Sequence, residues 1–365
     1  MKGKEWVERN FPFVLVGLII IALAFVIRSF RLPETGKHIT IGCVLVGSKD
    51  DKGWTESHYN GLLHACEAHS CLLEVRDDVG EDAASVSSAV DNLVKEGANV
   101  IFLTSFGYGE YAEENARKHP RVAFFSVSGT GTAKNQTTYF ARLYQMRYLA
   151  GVIAGAVSRT GVLGYVAAMP NSQINRNINA YAMGIRLANP EAKLLVCFTG
   201  SWDNELAERE SVARLHYAGA DVITYQEGKP YAVDEAEKRQ LFSIGFDNVY
   251  EDYSERFLTA TMYDWDVVYK KVLGDYLSGR THFSGGYWLG MAENAVKLHT
   301  LSPLVSEKAA FLTTMAQQHV KARGVFSGVI YDNKGTLRCE EGEWISDNEL
   351  FTGMDWFVEG VEIYE

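Results

Sequence analysis

From Ile39 onward the chain alternates short β-rich apolar runs with stretches whose apolar residues recur at helical spacing, and it does so twice. In the first series the strand-like runs are Ile39–Gly47, Cys71–Arg76, Asn99–Thr104 and Val122–Ser126. Between them Tyr59, Leu62, Leu63 and Cys66, then Val86, Val90, Leu93 and Val94, mark the buried faces of helices. Gly97 and His119-Pro120 supply helix stops. The second series has strand-like runs at Val162–Ala167, Lys193–Thr199, Asp221–Tyr225 and Leu241–Gly245, with helices expected over 174–189, 205–218 and 232–239. Such alternation predicts parallel, doubly wound sheets covered by helices. The fold class is therefore α/β, with two lobes of similar build. A chain of 365 residues is also too long for a single ordinary core.

A helical run, Leu143–Thr160, joins the two series, and its Gly151 and Gly155 form a small-xxx-small pair. Its apolar stretch between Arg147 and Arg159 is too short to span a bilayer, so the glycines are expected to let the helix pack closely on a sheet. Further on, a strand is expected over 257–262 and helices over 264–278 and 306–323. The last forty residues, rich in Gly, Glu and aromatics, read as strand and loop. The expected domain organisation is residues 38–140 plus about 250–290 as lobe 1, and about 141–249 plus about 291–330 as lobe 2, with 331–365 as a tail packing on both.

Residues 1–37 differ in character. Phe13–Ile27 is a run of fifteen apolar residues, preceded by Lys2, Lys4 and Arg9 and ended by Arg28 and Arg31. No small-x-small cleavage site follows, which favours an uncleaved signal-anchor helix over a cleaved signal. The expectation is a cytoplasmic stub, an apolar helix in the cytoplasmic membrane and a body on the extracytoplasmic side of the cell envelope. A net charge of −11 argues against nucleic acid as a partner, since there is no excess of Lys and Arg to displace counterions. The five cysteines cannot all pair with one another. His64, Cys66, His69 and Cys71 lie near one another, but His64 and Cys66 are two apart on a helix and face different ways, so no metal is expected.

In open α/β sheets ligands bind beyond the carboxyl ends of the strands. Trp54 follows the first strand and Trp202 follows the second strand of the second series, each close to carboxylates: Asp50 and Asp51 for one, Asp203 for the other. Two such rings, one per lobe, can close on a flat ligand whose N–H donors meet the carboxylates. On residue types alone an equally good reading has Trp54 plugging the top of a core and Asp51 capping a turn, with Thr55 able to cap the next helix. Beyond the third strand, Ser105-Phe106-Gly107-Tyr108-Gly109 is followed by Glu110, Glu113 and Glu114 at the start of a helix. That acidic turn would repel a phosphate, so a neutral ligand is expected. Asp247 follows the Leu241–Gly245 strand and can accept from hydroxyl or N–H groups. No catalytic motif is present, and a binding protein without cofactor is expected rather than an enzyme.

An ordered set of segments resembles a known family: Asp51-Lys52-Gly53-Trp54-Thr55 with His58 and Gly61; Thr104-Ser105-Phe106-Gly107-Tyr108; Arg147 to Gly155; Asn179-Ala180-Tyr181 with Gly184; and Met354 to Val358. From about Ile39 to the end the chain is similar to the basic membrane protein family of ABC-transporter substrate-binding proteins, which includes purine-nucleoside receptors. The likeness is to a purine-binding branch, which has Gly-Trp where the nucleoside receptors have Ser-Phe. The resemblance implies a type I periplasmic-binding-protein fold with hinge crossovers, a purine base or nucleoside as ligand, ABC permease subunits as partners and a monomer. It places the stacking aromatics on Trp54 and Trp202, the base-contacting carboxylate on Asp51 or Asp50, the ribose-holding carboxylate on Asp247, and an arginine of the branch on Arg176. With Thr55, Phe106, Gly107, Tyr108 and Asp203 these make up the expected ligand site. Two segments depart from the family: Trp202-Asp203-Asn204-Glu205-Leu206 where Trp-Tyr-Asp-Pro-Gly is expected, and Glu227-Gly228-Lys229-Pro230 where the branch has Thr-Asp-Ser-Pro. Alternative roles are a ligand-binding sensor for a membrane signalling system and a sugar receptor of the same fold.

Overall fold

Eight elements follow one another in the first half of the computed structural model: β1 (Thr40–Val44), α1 (Trp54–His69), β2 (Leu72–Arg76), α2 (Ala83–Lys95), β3 (Ala98–Leu103), α3 (Gly109–Lys118), β4 (Ala123–Val127) and β5 (Gln136–Ala141). The structure describes residues 39–365 apart from 129, 130, 132, 248, 250, 251 and 284, so the expected N-terminal apolar helix lies outside the described residues. Strands β1, β3 and β4 are buried along nearly their whole length, which is why they read as continuous apolar runs: a parallel strand covered on both faces has no solvent side. Helix α2 starts where Asp82 accepts from the backbone N–H groups of Ala84 and Ser85, a side-chain cap.

The second half repeats the scheme: α4 (Tyr144–Val157), β6 (Val162–Ala167), α5 (Ser172–Ala188), β7 (Lys193–Phe198), α6 (Glu205–Tyr217), β8 (Val222–Gln226), α7 (Tyr231–Lys238), β9 (Phe242–Phe246) and β10 (Phe257–Tyr263). Then come α8 (Trp265–Leu277), β11 (Tyr287–Leu289), β12 (Val296–Leu298), α9 (Glu307–Arg323), the hairpin β13 (Ile330–Tyr331) and β14 (Leu337–Cys339), and β15 (Val361–Ile363). One sheet runs β11-β5-β4-β3-β1-β2, parallel throughout, and the other runs β12-β10-β9-β8-β6-β7-β15, parallel except for β12. The central orders 5-4-3-1-2 and 10-9-8-6-7 are one topology used twice.

The chain passes between the sheets three times: from β5 to α4, from β10 to α8, and from β11 to β12. These connections form the hinge of the fold. Two details differ from expectation. Residues 257–263 were expected in lobe 1 but form β10 of the second sheet, with Ala260 opposite Gly245 of β9. The Gly151/Gly155 pair packs not on a sheet but on helix α5. A Cβ on Gly155 would lie 2.5 Å from the Ile185 carbonyl oxygen, one on Gly151 would overlap the Tyr181 carbonyl, and one on Gly184 would overlap the Tyr148 carbonyl. Three glycines thus allow two helix backbones to touch.

Candidate functional site

In each sheet the strand order reverses beside its first strand, between β1 and β3 and between β6 and β8. At such switch points the outgoing loops splay apart beyond the carboxyl ends of the strands and leave a crevice. Loops from both sheets line one cavity of about 260 Å³. The first sheet contributes Val46, Gly47, Asp51, Trp54 and Thr55 beyond β1, Glu81 beyond β2, Ser105 and Phe106 beyond β3, Ser128 beyond β4, and Phe140 of β5. The second contributes Gln173 on the first turn of α5, Trp202 and Asp203 beyond β7, Gln226 to Lys229 at and beyond β8, and Phe246 of β9. The volume sits near the small end of ligand pockets, roughly 300–1,000 Å³.

Of the residues expected at a ligand site, Asp51, Trp54, Thr55, Phe106, Trp202 and Asp203 line this cavity. Trp54 is held firmly. Its indole N–H donates to the Thr104 carbonyl oxygen at 2.9 Å, and its ring meets His58, Tyr263 and Trp265 at centroid distances of 4.3, 5.8 and 5.5 Å. Asp51 takes the capping role: its carboxylate accepts from the backbone N–H groups of Gly53, Thr55 and Glu56 at 2.9–3.2 Å. It begins helix α1 in place of Thr55, and it also borders the cavity, so the two readings of this turn are compatible.

Five expected residues do not line the cavity. Asp50 is exposed on the β1–α1 loop. Tyr108 is fully buried and donates to the Val79 carbonyl oxygen, and Gly107 lies against Glu81, to which its N–H donates at 3.1 Å. Arg176 is buried in α5, donates to the Leu350 carbonyl oxygen at 3.1 Å, and lies over the rings of Phe140, Trp288 and Phe351. Burial lowers its pKa to about 10. It backs Phe140, a wall of the cavity, and reaches no cavity surface itself.

Asp247 lies to one side, in a small recess shared with Trp54, and accepts from the Ser57 hydroxyl at 3.0 Å. That bond runs from the second sheet's loops to helix α1 of the first. Burial raises the Asp247 pKa to about 7, with the Asp51 charge adding to the rise and the Ser57 hydrogen bond opposing it. A raised carboxylate pKa costs folded stability progressively as pH climbs from the unfolded value near 4 through about 7. Asp247→Asn, which keeps an oxygen for Ser57, should therefore raise the melting temperature at about pH 8 and change it little at about pH 4. A gain that is equal at both pH values would remove this account of Asp247.

Residues not expected at the ligand site also bring buried polar groups to the cavity. Gln226 and Glu227 are 0 % and 2 % exposed and Gln173 is 7 % exposed, and Gln226 Nε2, Glu227 Oε2 and Gln173 Oε1 have no hydrogen-bond partner among the described residues. Unpaired buried polar atoms are costly, so a set of them on residues that line one cavity marks a place where a ligand could complete the hydrogen bonding. Glu227 Oε1 lies 2.9 Å from the Thr199 hydroxyl, and burial raises the Glu227 pKa to about 9, with Glu208 adding to the rise. The two segments that depart from the family pattern also meet here. Lys229 Nζ donates to Asp203 Oδ2 at 2.9 Å, and the Gly228 N–H donates to the Trp202 carbonyl oxygen at 2.7 Å. The two loops thus hold each other through one ion pair and one main-chain hydrogen bond.

Among the described residues no group of His, Cys, Asp and Glu is arranged to hold a metal, and no helix is long and apolar enough to cross a membrane. All five cysteines are free thiols; His64 pairs with Asp266 and His69 meets the Lys270 carbonyl oxygen.

The chain is 28% identical over 333 residues to a purine-binding protein of Brucella abortus, covering 89% of this chain and 93% of that protein. It is 30% identical over 335 residues to a Haloferax volcanii protein named for binding glucose within an ABC transporter, covering 90% and 82%. The solved structure of an ABC transporter solute-binding protein from Aeropyrum pernix superposes with a TM-score of 0.67 at 19% identity, covering 78% of this chain and 91% of that one, which establishes the type I fold. Residues 38–326 match the family described as PnrA-like ABC transporter substrate-binding proteins, and the chain belongs to that family, whose members are extracytoplasmic ligand receptors for permeases and not enzymes.

Proposed function

We propose that this receptor closes its lobes on a purine base or nucleoside and delivers it to an ABC importer. The observation that carries the reading is a cavity lined by an indole from each lobe and by Gln173, Gln226 and Glu227, whose side chains hold unpaired buried polar atoms. Flat walls suit a planar heterocycle and the polar atoms suit its edge. The likeness to a purine-binding relative supports the same reading. Phe13–Ile27 would tether the body to the cytoplasmic membrane, and the receptor would act as a monomer, since one cavity lies within one chain.

Calorimetry with adenine, guanosine and inosine tests the ligand. Trp54→Ala and Trp202→Ala should each cost roughly 1–3 kcal/mol of binding, the scale of a base stacked on an aromatic ring. Unchanged affinity in both variants would remove the stacking clamp. A sugar is the second reading, favoured by the relative named for glucose and by the ability of sugar rings to lie on aromatic faces. Including glucose in the same panel separates the two.

A further inference from the structure

Glu227 lines the cavity at 2 % exposure, and no salt bridge to it is found among the described residues. The charged and titratable groups around it are mostly acidic. Glu208 faces it from α6, and Asp203 lies beyond β7 with its carboxylate held by Lys229. Tyr165 lies on neighbouring β6, and Asp51 and Glu81 border the same cavity. Lys229, the cation among the cavity's lining residues, is thus already engaged by Asp203. A fully buried carboxylate with no cation is strongly disfavoured against its neutral form.

The neighbouring amide is oriented by its own bonds. Gln226 Oε1 accepts from the Tyr165 hydroxyl at 3.1 Å and from Asn177 Nδ2 at 3.0 Å, so the free Nε2 is a donor. We propose, resting on the ligand reading above, that Glu227 meets the ligand as an uncharged carboxylic acid and, together with the Gln226 amide, selects an uncharged heterocycle edge that offers a hydrogen-bond acceptor.

The Thr199 hydroxyl is 2.9 Å from both Glu227 Oε1 and the Ser201 carbonyl oxygen. With its single hydrogen directed at Glu227 Oε1, the Glu227 proton sits on Oε2 and points to the ligand. With that hydrogen given to Ser201, Glu227 donates to Thr199 and offers Oε2 as an acceptor. Only the first arrangement meets an acceptor on the ligand, and a carboxylate, which serves donors alone, cannot adopt it. Holding a carboxylic acid neutral so that it can donate is a known use of an apolar site.

The test compares adenine, inosine and glucose binding to the wild type and to Glu227→Gln, an uncharged isostere, from about pH 6 to about pH 10. The ratio of the two affinities cancels any titration of the ligand. Glu227→Gln should bind within a few-fold of the wild type near pH 7. Above about pH 9 the wild type should lose about tenfold per pH unit relative to the variant, because Glu227 has then ionised. A loss of about thirtyfold or more in Glu227→Gln near pH 7, or a ratio flat across the range, would overturn the proposal while leaving any purine binding standing.

Infrared spectroscopy of the unliganded protein gives a second readout. Asp247 and Glu208 also hold raised carboxyl pKa values, so the Glu227 band is read from the wild-type-minus-Glu227→Gln difference spectrum at about pH 8, where it should be present. Glu208→Gln, which leaves the Glu227 band in place, serves if the first variant does not fold. No such band would overturn the proposal. If the band is present and none of the three ligands binds, the ligand reading fails and the neutral acid stands.

Discussion

Gly184→Val is expected to cost about 3 kcal/mol or more of folding stability, enough to strip soluble, folded protein from an expression culture. Gly184 lies in α5 at the point where its backbone touches α4. A Cβ there would overlap the carbonyl oxygen of Tyr148 and lie 2.9 Å from the Val152 nitrogen. Every obstructing atom is main chain, so no rotamer change relieves the overlap, and the helices must separate along their length. Separation would disturb the buried residues Tyr148, Val152 and Tyr181, whose main chain forms the contact, and Arg147, whose guanidinium donates to Thr224 Oγ1 at 3.0 Å and to the Tyr225 carbonyl oxygen at 2.6 Å. Leu187→Ala, three residues further along the same helix on its exposed side, should stay within about 0.5 kcal/mol. Thermal and urea denaturation of the three proteins makes the comparison. A parent-like melting temperature for Gly184→Val would show that α4 and α5 do not pack backbone to backbone.

Most of the strands that were legible in the sequence are buried on both faces, the half-exposed edge strand β2 being an exception. β6 is apolar along its whole length, and β1 and β9 are interrupted only by Thr40 and Ser243, because neither side meets water. β5 escaped because it begins Gln136-Thr137-Thr138, and Gln136 and Thr137 are buried polar residues whose placement depends on neighbours distant in sequence. The sheet to which β10 belongs was illegible for a related reason: pairing with β9 is a tertiary choice, and the helix that follows, α8, packs on the other lobe, with Gly61 against Trp265. β15 likewise joins β7 from the far end of the chain.

The site was half legible. Trp54 and Trp202 were found because they follow strands, and the same rule applied to every strand would have reached Gln173 beyond β6 and Glu227 beyond β8. Asp51 shows the limit of residue type as a guide, since a carboxylate that caps a helix and one that borders a cavity look alike in sequence. Arg176 shows another: its place was legible by resemblance, but that it faces three rings and a carbonyl oxygen instead of the cavity depends on the tail, which brings Leu350 and Phe351 to it.

Gly53→Leu should leave the fold intact and weaken ligand binding by about a hundredfold or more, about 3 kcal/mol. Gly53 follows β1 in the first lobe and Gly228 follows β8 in the second, and a Cβ on Gly53 would overlap the Gly228 carbonyl oxygen. Gly228 cannot retreat, because its own position is fixed against the Trp202 carbonyl oxygen, 2.8 Å from where its Cβ would lie. The lobes therefore meet main chain to main chain at the rim of the cavity, and the Ser57–Asp247 hydrogen bond ties them nearby. A side chain at position 53 acts as a wedge against this closed form. Helix α1 loses little, since its N-terminus is capped by Asp51 through backbone N–H groups that the substitution keeps. A ligand that contacts both lobes can bind tightly only in proportion to the fraction of protein able to close, so blocking closure subtracts directly from affinity. Calorimetry should report the loss, small-angle scattering should show no compaction on adding ligand, and the melting temperature without ligand should match the parent. Parent-like affinity in Gly53→Leu would mean that the approach of Gly53 to Gly228 is not part of ligand capture, and the indoles of Trp54 and Trp202 would then have to hold the ligand without the lobes meeting at this rim.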